Sequence, residues 1–532
     1  LDERFYKWNR TNYDVLLNYD KNFGQHNLKG LLGWHTEKYN YKEQRASRKN
    51  FPNNDLTDMN AGDSSTQKNE GFTRELAMIS WFARVNYDYA GKYLLEANIR
   101  SDASSRFAEG NRWGYFPSFS AAWRMSEEAF MEDAQNWLST LKIRASWGML
   151  GNQDALDDYY PALNTYNLDA TYPFDGSLNG GYYQKKYRLS TISWEKATTW
   201  GIGLDLGFLN NRINATIDYY NRKTTGIIMD VTVPNEFALD AYKDNVGAMR
   251  NSGVEVNVSY NDRSGDWKWG IAANFTYNKN EILDLGFASD IALKDQHIDK
   301  DKGYYQRNHV GDKIDAYYVY KADGFFRTQE EADAYTAKYS PKLGGGKLKA
   351  GDLRYADTDG DGKLTENDKV YCNSPEPAYT FGLNLNVGYK DFDLSLMFNG
   401  AAKVARLFDA YEVYGAFSGD AGHPASIWKK SWTFNPDNAE MPRIFTDTNS
   451  PSSSRNVPST FWLQNTSYLR LKNLQLGYTF PKEWLGSLGV QNLRIYYSVE
   501  NLFTIDSMKI NIDSEATSQR LSSYPLLRTH AD

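Results

Sequence analysis

The alternation of apolar and polar positions is sharpest between Trp200 and Tyr219, WGIGLDLGFLNNRINATIDY. Trp200, Ile202, Leu204, Leu206 and Phe208 share one parity, and Gly201, Gly203, Asp205 and Gly207 the other. A Leu209-Asn210-Asn211 turn leads to a second arm in which Ile213, Ala215, Ile217 and Tyr219 alternate with Asn214, Thr216 and Asp218. A period of two over two arms joined by a tight turn predicts a β-hairpin. The polar parity carries Gly, Asn, Thr and Asp rather than the Lys and Glu of a water-facing sheet, and Trp200, Phe208 and Tyr219 bracket the apolar one. An arm of about ten residues rises roughly 33 Å, and a tilt near 40° reduces this to about 25 Å, the apolar band of an outer-membrane barrel. The hairpin therefore reads with Ile202, Leu204, Leu206, Ile213, Ala215 and Ile217 toward lipid. Asn214, Thr216 and Asp218 then face an aqueous lumen. From this hairpin alone a large soluble β-protein stays open as the alternative.

The same period recurs along the chain. Strands are expected at Tyr13 to Tyr19 and Asn27 to Tyr41, Met78 to Tyr87 and Tyr93 to Arg100, and Tyr115 to Met125 and Leu141 to Met149. After the hairpin they follow at Gly253 to Tyr260 and Trp267 to Tyr277, Tyr379 to Tyr389 and Phe392 to Phe398, and Tyr468 to Phe480 and Leu493 to Phe503. Ser126 to Ser139 has room for one helical turn or two. The connections alternate short and long, the longest an excursion over residues 281–377. Short periplasmic turns and long extracellular loops are the mark of an antiparallel up-and-down transmembrane β-barrel, here of roughly fourteen strands.

Composition narrows the picture. The chain has 532 residues, 41% apolar and 15% aromatic, the latter a share that interfacial girdles require. Its mean hydropathy is −0.67, and it carries no uncharged apolar run long enough for a spanning helix, so a membrane crossing must use strands. A net charge of −7 gives no electrostatic footprint for nucleic acid. Cys372 is the single cysteine, which excludes an intrachain disulfide. The chain begins at Leu1-Asp2-Glu3-Arg4 without a basic-then-apolar leader, and is expected to be processed or partial.

Several stretches resemble the SusC/RagA family of TonB-dependent outer-membrane transporters. They are RVNYDYAGKYLLEANIRSDASSRF (84 to 107), NRWGYFPSFSAAWRMSEEAF (111 to 130), LKIRASWGMLGNQ (141 to 153), WEKATTWGIGLDLGFLNNRINATIDYYNRKT (194 to 224), NVGAMRNSGVEV (245 to 256), SYLRLKNLQLGYTFP (467 to 481) and LRIYYSVENLF (493 to 503). They fall in the family's order along most of the chain. The resemblance implies a barrel of about 22 strands closed by an N-terminal plug. Residues 1–532 would be its C-terminal barrel portion, with the plug, the TonB-contacting segment and further strands outside the chain. The motif at Tyr524-Pro525-Leu526-Leu527-Arg528-Thr529 resembles the family's approach to its last strand, and with the ending His530-Ala531-Asp532 the expectation is that the closing strand is absent or the sequence is cut. The implied function is TonB-dependent import of oligosaccharides or peptides across the outer membrane of a Gram-negative, Bacteroidetes-type cell, with a SusD-like surface lipoprotein as partner. The alternatives are a self-contained channel of about fourteen strands and a non-transport adhesin or structural barrel.

Chemistry concentrates at residues 357–368, DTDGDGKLTEND, inside the long excursion. Asp357, Asp359 and Asp361 stand at positions 1, 3 and 5 of an EF-hand-like loop, with Gly362 at 6, the Lys363 backbone carbonyl at 7 and Asp368 at 12. This set of hard oxygens predicts a structural Ca²⁺, with Mg²⁺ as the alternative; Asp at position 12 is one methylene shorter than Glu and predicts a modest affinity. No catalytic constellation emerges. The six His (His26, His35, His297, His309, His423 and His530) are scattered, Gly344-Gly345-Gly346-Lys347 lacks the phosphate-loop spacing, and no enzyme activity is expected. Among loop aromatics, Tyr159, Tyr160, Tyr182, Tyr183 and Trp428 are the candidates to touch substrate.

Overall fold

The computed structural model describes residues 1–156, 158–163, 166–184, 187–231, 235–237, 239–286, 290–292, 306–341, 347–407, 429–444, 457–486, 489–508 and 513–515. Its strands begin with β1 (Asp2–Phe23), β2 (His26–Ser47), β3 (Lys68–Tyr89), β4 (Tyr93–Ser104), β5 (Trp113–Arg124) and β6 (Leu138–Asn152). The small hairpin of β7 (Asn167–Phe174) and β8 (Ser177–Tyr183) precedes β9 (Glu195–Phe208), β10 (Ile213–Val231), β11 (Tyr242–Asp262) and β12 (Trp267–Leu285). Short strands follow: β13 (Asp290–Ala292), β14 (Gln306–His309), β15 (Ala316–Tyr320), β16 (Ala322–Phe325), β17 (Leu353–Tyr355) and β18 (Lys369–Tyr371), with helix α1 (Gln329–Tyr339) after β16. The chain then forms β19 (Tyr379–Tyr389), β20 (Phe392–Ala402), the short β21 (Ala405–Leu407) and β22 (Leu463–Asn465), and finally β23 (Tyr468–Thr479) and β24 (Arg494–Asp506). One sheet of 14 strands has the order β1-β2-β3-β4-β5-β6-β9-β10-β11-β12-β19-β20-β23-β24. Each long strand neighbours the next, the up-and-down order that the alternation predicts.

Every expected strand is present, and several are longer. The strand read from Tyr13 to Tyr19 belongs to β1, which stays in register with β2 from Asp2↔Ser47 to Phe23↔His26. The segment between β5 and β6 holds two 3-10 stretches, Met125–Glu127 and Ala129–Ala134. Two features were not read from the sequence: the β7–β8 hairpin, whose first strand carries Pro173 and whose second carries Gly180 and Gly181, and the folded content of the long excursions.

The chain divides into two compact units. The first comprises Leu1–Gln135, Thr140–Asp205 and Tyr220–Met249. Its register aligns Val85, Ala97, Phe119 and Trp147 in one row across β3 to β6. Trp147, Phe119 and Val85 are exposed there, and Phe119 stacks on Trp147 at 6.0 Å. Near the turns, Tyr93 stacks on Trp123 at 6.3 Å, an interfacial ring pair of the kind that girdles a membrane wall. On the opposite parity Glu96, Ser120 and Ser146 form the adjacent row. Two glycines let aromatic rings lie flat on that face: a Cβ at Gly33 would stand 2.2 Å from the Phe82 ring, and one at Gly151 2.1 Å from Phe116.

The second unit comprises Asn136–Ser139, Leu206–Tyr219 and Arg250–Asp532. Trp267 meets Tyr389 at 4.5 Å, and Phe392 meets Tyr478 at 4.7 Å, again beside short turns. The two longest excursions share a core of their own. Tyr317, Val319, Leu353, Tyr355 and Leu364 of the first pack with Ala405, Val457 and Trp462 of the second. Helix α1 covers part of this cap. Thr328 caps its start by accepting from the Glu331 N–H, and Ser340 ends it in the left-handed region at φ 44°.

The parity assignment predicts opposite outcomes for two charges in the Trp200–Tyr219 hairpin. Leu204→Arg sets a cation on the lipid face, at a cost of about 2 to 4 kcal/mol near the midplane, and should reduce the heat-modifiable folded band in outer-membrane fractions. Thr216→Arg, on the other parity, should leave it near wild type. Equal loss from both, or loss from Thr216→Arg alone, contradicts the register.

Candidate functional site

The polar parity of β3 to β6 borders a groove of about 740 Å³ whose lining includes Arg84, Glu96, Asn98, Arg100, Ser118 and Ser146. Strand alternation puts these side chains on one face, and lateral hydrogen bonds set their directions. Arg84 Nε donates to Asn98 Oδ1 at 2.7 Å, and Asn98 Nδ2 donates to Glu96 Oε1 at 2.7 Å. Arg100 Nε donates to Asp102 Oδ1 at 2.8 Å and its Nη2 to Ser80 Oγ at 2.9 Å, while its guanidinium lies 5.3 Å over the Phe82 ring. Asp205 takes Arg144 Nε at 2.9 Å and Lys142 Nζ at 3.3 Å. The result is a wall of oriented donors and acceptors, suited to a hydroxyl- or amide-rich solute. Among the predicted site residues none lies in this groove. The signal was present in RVNYDYAGKYLLEANIRSD (84 to 102), where Arg84, Asn86, Glu96, Asn98 and Arg100 occupy the parity opposite the apolar one.

The loop aromatics fall in two places. Tyr159 stacks on Tyr39 at 6.4 Å, with Arg74 and Arg106 at 5.5 and 5.7 Å from its ring. Tyr160 Oη accepts the Glu75 N–H at 3.0 Å. Asp158 pairs with Arg188 of the same loop, and the contacts of Tyr159 and Tyr160 with Tyr39, Arg74 and Glu75 fasten that loop to the wall. Tyr182 and Tyr183 belong to β8. Tyr182 is 73% exposed and meets Tyr166 edge-on at 5.6 Å. Trp428 lies outside the described residues.

In the acidic loop, one carboxylate oxygen each from Asp357, Asp359 and Asp361 lie within 4.8 Å of one another. Backbone donors set them in place. Gly360 N–H and Gly362 N–H reach Asp357 at 2.7 and 3.1 Å, Asp361 N–H reaches Asp359 at 3.1 Å, and Lys363 N–H reaches Asp361 at 2.7 Å. Gly362 has φ +79°, which a side chain would resist. Asp368 is not in this convergent group. It is buried, and its two oxygens accept the Thr358 and Thr365 N–H groups at 2.7 Å each, closing the loop. Three hard oxygens this close together could hold a divalent cation, with Asp368 bracing the loop. Beside it, Glu366 meets Arg307 at 3.0 Å and the buried Lys369 at 2.6 Å. Burial pushes the Lys369 ammonium below its usual pKa, against the pull of Glu366. Burial, with the charges of Glu366 and Asp368, raises the Tyr320 phenol.

Comparison with known proteins agrees with this architecture. Residues 2–402 match the model of the TonB dependent receptor-like β-barrel family. TonB-dependent receptor P3 of Formosa agariphila is 30% identical over 495 residues, covering 92% of this chain and 47% of that protein. TonB-dependent receptor SusC of Bacteroides thetaiotaomicron is 29% identical over 523 residues, covering 96% and 48%. The chain thus spans about half the length of the curated relatives it matches. In fold it is similar to the RagAB peptide transporter, with a TM-score of 0.77 at 24% identity over 97% of this chain and 54% of that one. With the family match extending over well more than half of its residues, the chain belongs to the TonB-dependent receptor β-barrel family of the outer membrane.

Proposed function

We propose that these residues are barrel wall of an outer-membrane importer of the SusC/RagA type, taking up oligosaccharides or peptides with energy delivered through TonB. The observation that carries this reading is the groove bordered by Arg84, Glu96, Asn98 and Arg100 on the polar face of a family-typical sheet. A transported solute must bind well enough to enter and weakly enough to leave. Side chains already paired with their neighbours meet that need, because each offers its remaining lone pair or N–H without presenting a bare charge. The work assigned to these residues is therefore passage rather than catalysis. The comparison that supports import over a self-contained channel is the length of the relatives, about twice that of this chain.

A SusD-like lipoprotein is the proposed partner at the long-loop side. The β7–β8 hairpin supports this: Tyr172, Phe174, Leu178 and Tyr182 are strongly exposed on both its faces, and an isolated two-stranded hairpin is marginal in water, so a covering protein surface would stabilise it. A divalent cation, Ca²⁺ or Mg²⁺, is proposed at Asp357, Asp359 and Asp361, with the Lys363 carbonyl as a further ligand and Asp368 holding the loop closed. When bound it would neutralise three clustered carboxylates and stiffen the cap; it has no part in a reaction.

Import and passive permeation separate in cells. Uptake of the cognate solute by a strain expressing the full-length protein should stop when TonB is deleted or the proton gradient collapsed, whereas uptake that continues in both conditions identifies a passive channel. The cation is tested by limited proteolysis of the purified full-length protein. At free Ca²⁺ about ten times the dissociation constant, opening of the loop should fall about tenfold, and cleavage within residues 357–368 should slow in calcium and recover in EDTA. Asp357→Ala with Asp361→Ala should abolish the difference, and a wild-type loop cut equally fast in both buffers disproves the site.

A further inference from the structure

A second groove lies on the opposite, apolar face of β3 to β6, where import gives it no role. Its volume is about 520 Å³, and its lining includes Val85, Leu95, Ala97, Phe119, Ala121 and Ala145. These residues belong to two adjacent rows of the lipid parity, Tyr87–Leu95–Ala121–Ala145 and Val85–Ala97–Phe119–Trp147. All four strands are interior members of the sheet, paired on both sides. The exposure of Val85, Leu95, Phe119 and Trp147 is therefore a property of the face and not of an open edge.

Side-chain size makes the concavity. Ala97, Ala121 and Ala145 form its floor, among neighbours that carry rings or branched chains. The Phe119–Trp147 stack walls it on the side away from the short turns, and Val85 and Leu95 wall it toward β3. On the turn side stands the next row, Tyr93–Trp123–Ile143. Its two rings are stacked with 9° between their planes, and their polar edges converge on one carboxylate from the segment between β5 and β6. Tyr93 Oη donates to Glu128 Oε1 at 2.7 Å and Trp123 Nε1 to the same oxygen at 3.0 Å, while Lys92 Nζ donates to Oε2 at 3.1 Å. With both polar edges fixed on Glu128, these rings are held at the mouth of the groove and do not fill it. Strand geometry gives its size and depth. Two rows on four strands span roughly 15 Å by 7 Å. The groove begins one row from the girdle, which at a tilt near 40° is about 5 Å into an apolar band about 25 Å high. It therefore lies in the leaflet nearer the short, periplasmic turns, which is built of phospholipid.

We propose that this groove binds one acyl chain of a periplasmic-leaflet phospholipid, held as an ordered part of the wall. The groove is continuous with the lipid face, so hydrocarbon is what it meets, and its volume is within the range of about 300 to 1,000 Å³ that ligand sites occupy. In a bilayer no hydrophobic drive distinguishes one apolar surface from another, so dispersion contacts decide. A chain lying on a flat wall touches it along one side. A chain in this groove touches alanine methyls beneath it and Leu95, Phe119 and Trp147 at its flanks, and the added contacts favour one seated chain over exchange with bulk lipid. A second copy of the protein is not the occupant, because a stable interface takes about 800 Å² from each partner, and a concavity of this size receives a single chain rather than a sheet.

Native mass spectrometry of the full-length protein, extracted from outer membranes in mild detergent, reads the site without TonB or a transported solute and so can fail independently of import. Wild type should retain one phospholipid through delipidating washes. Ala121→Phe with Ala145→Phe fills the groove with groups that a lipid face accepts, and should lower the retained fraction about tenfold while the heat-modifiable band is unchanged. Ala145→Leu alone, a smaller filling, should give a partial loss and carries the test if the double variant fails to assemble. Ile202→Phe, on the lipid parity of β9 and outside the groove, should retain lipid as wild type does. The proposal is overturned if wild type carries no lipid, if a filled groove retains as much as wild type, or if Ile202→Phe loses as much as the filled groove. It is overturned equally if the retained lipid is lipopolysaccharide, or if wild type is a dimer that filling the groove dissociates.

Discussion

A backbone N–H or C=O unpaired in hydrocarbon costs several kcal/mol, and the wall is the solution to that constraint. Pairing each strand with its successor satisfies these groups over runs such as the full overlap of β2 with β3, from His26↔Tyr89 to Ser47↔Lys68. Pairing also fixes the side chains, because in a period-two structure a slip of one residue exchanges the faces. A slip of β4 against β5 would turn Leu95 and Ile99 toward the polar face and send Glu96 and Asn98 into lipid. Register is therefore enforced by transfer free energy as well as by hydrogen bonds. The short turns that set it rely on the left-handed region: Leu209, Asn210 and Asn211 have φ of 54°, 56° and 59°.

The long connections obey a different rule. Outside the membrane, water satisfies the backbone, so these segments order only where they bury enough apolar surface to offset the entropy of ordering. The two longest in the second unit do so jointly. Val319 and Leu353 of one and Trp462 of the other are almost fully buried in one cluster, and Arg443 pairs with the buried Asp352 at 2.8 Å. Neither excursion alone supplies that core. The acidic loop is a rim of this cap, tied to it through Leu364, which is buried and whose N–H reaches the Tyr339 carbonyl at 3.3 Å.

These two regimes explain what could be read from sequence. Ile202, Leu204 and Leu206 were legible because one lipid face and one polar face give an unbroken period, and the fourteen strands followed from it. The outer ends of β1 and β3 were not, since above the membrane Trp8 and Phe72 change sides relative to Val15 and Trp81 and the expected pattern cancels. The cap was hidden because its contacts join residues separated by well over a hundred positions, such as Ala322, whose N–H donates to Thr460 Oγ1. Asp357, Asp359 and Asp361 were found because their spacing is local. Asp368 was assigned to the same cluster, but its position is set by the Thr358 and Thr365 amides, which spacing does not reveal. Tyr159 was visible as an aromatic, while its fastening by Tyr39, Arg74 and Arg106 depends on strand pairing.

The luminal face then follows from the same pairing. Because neighbouring strands are about 5 Å apart, polar side chains on adjacent strands are within reach of one another before any solute arrives. Arg84 is met by Asn98, Glu96 by Asn86, and Asp205 by both Arg144 and Lys142. Lateral pairing lowers the field that each charge projects into the lumen and holds its remaining hydrogen-bonding capacity in a fixed direction. Under the import reading proposed above, a wall built this way would exchange hydrogen bonds with a polar solute at little reorganisation cost. The strand spacing that makes the membrane crossing possible thus also sets the polar face as a row of oriented, mutually paired hydrogen-bonding groups.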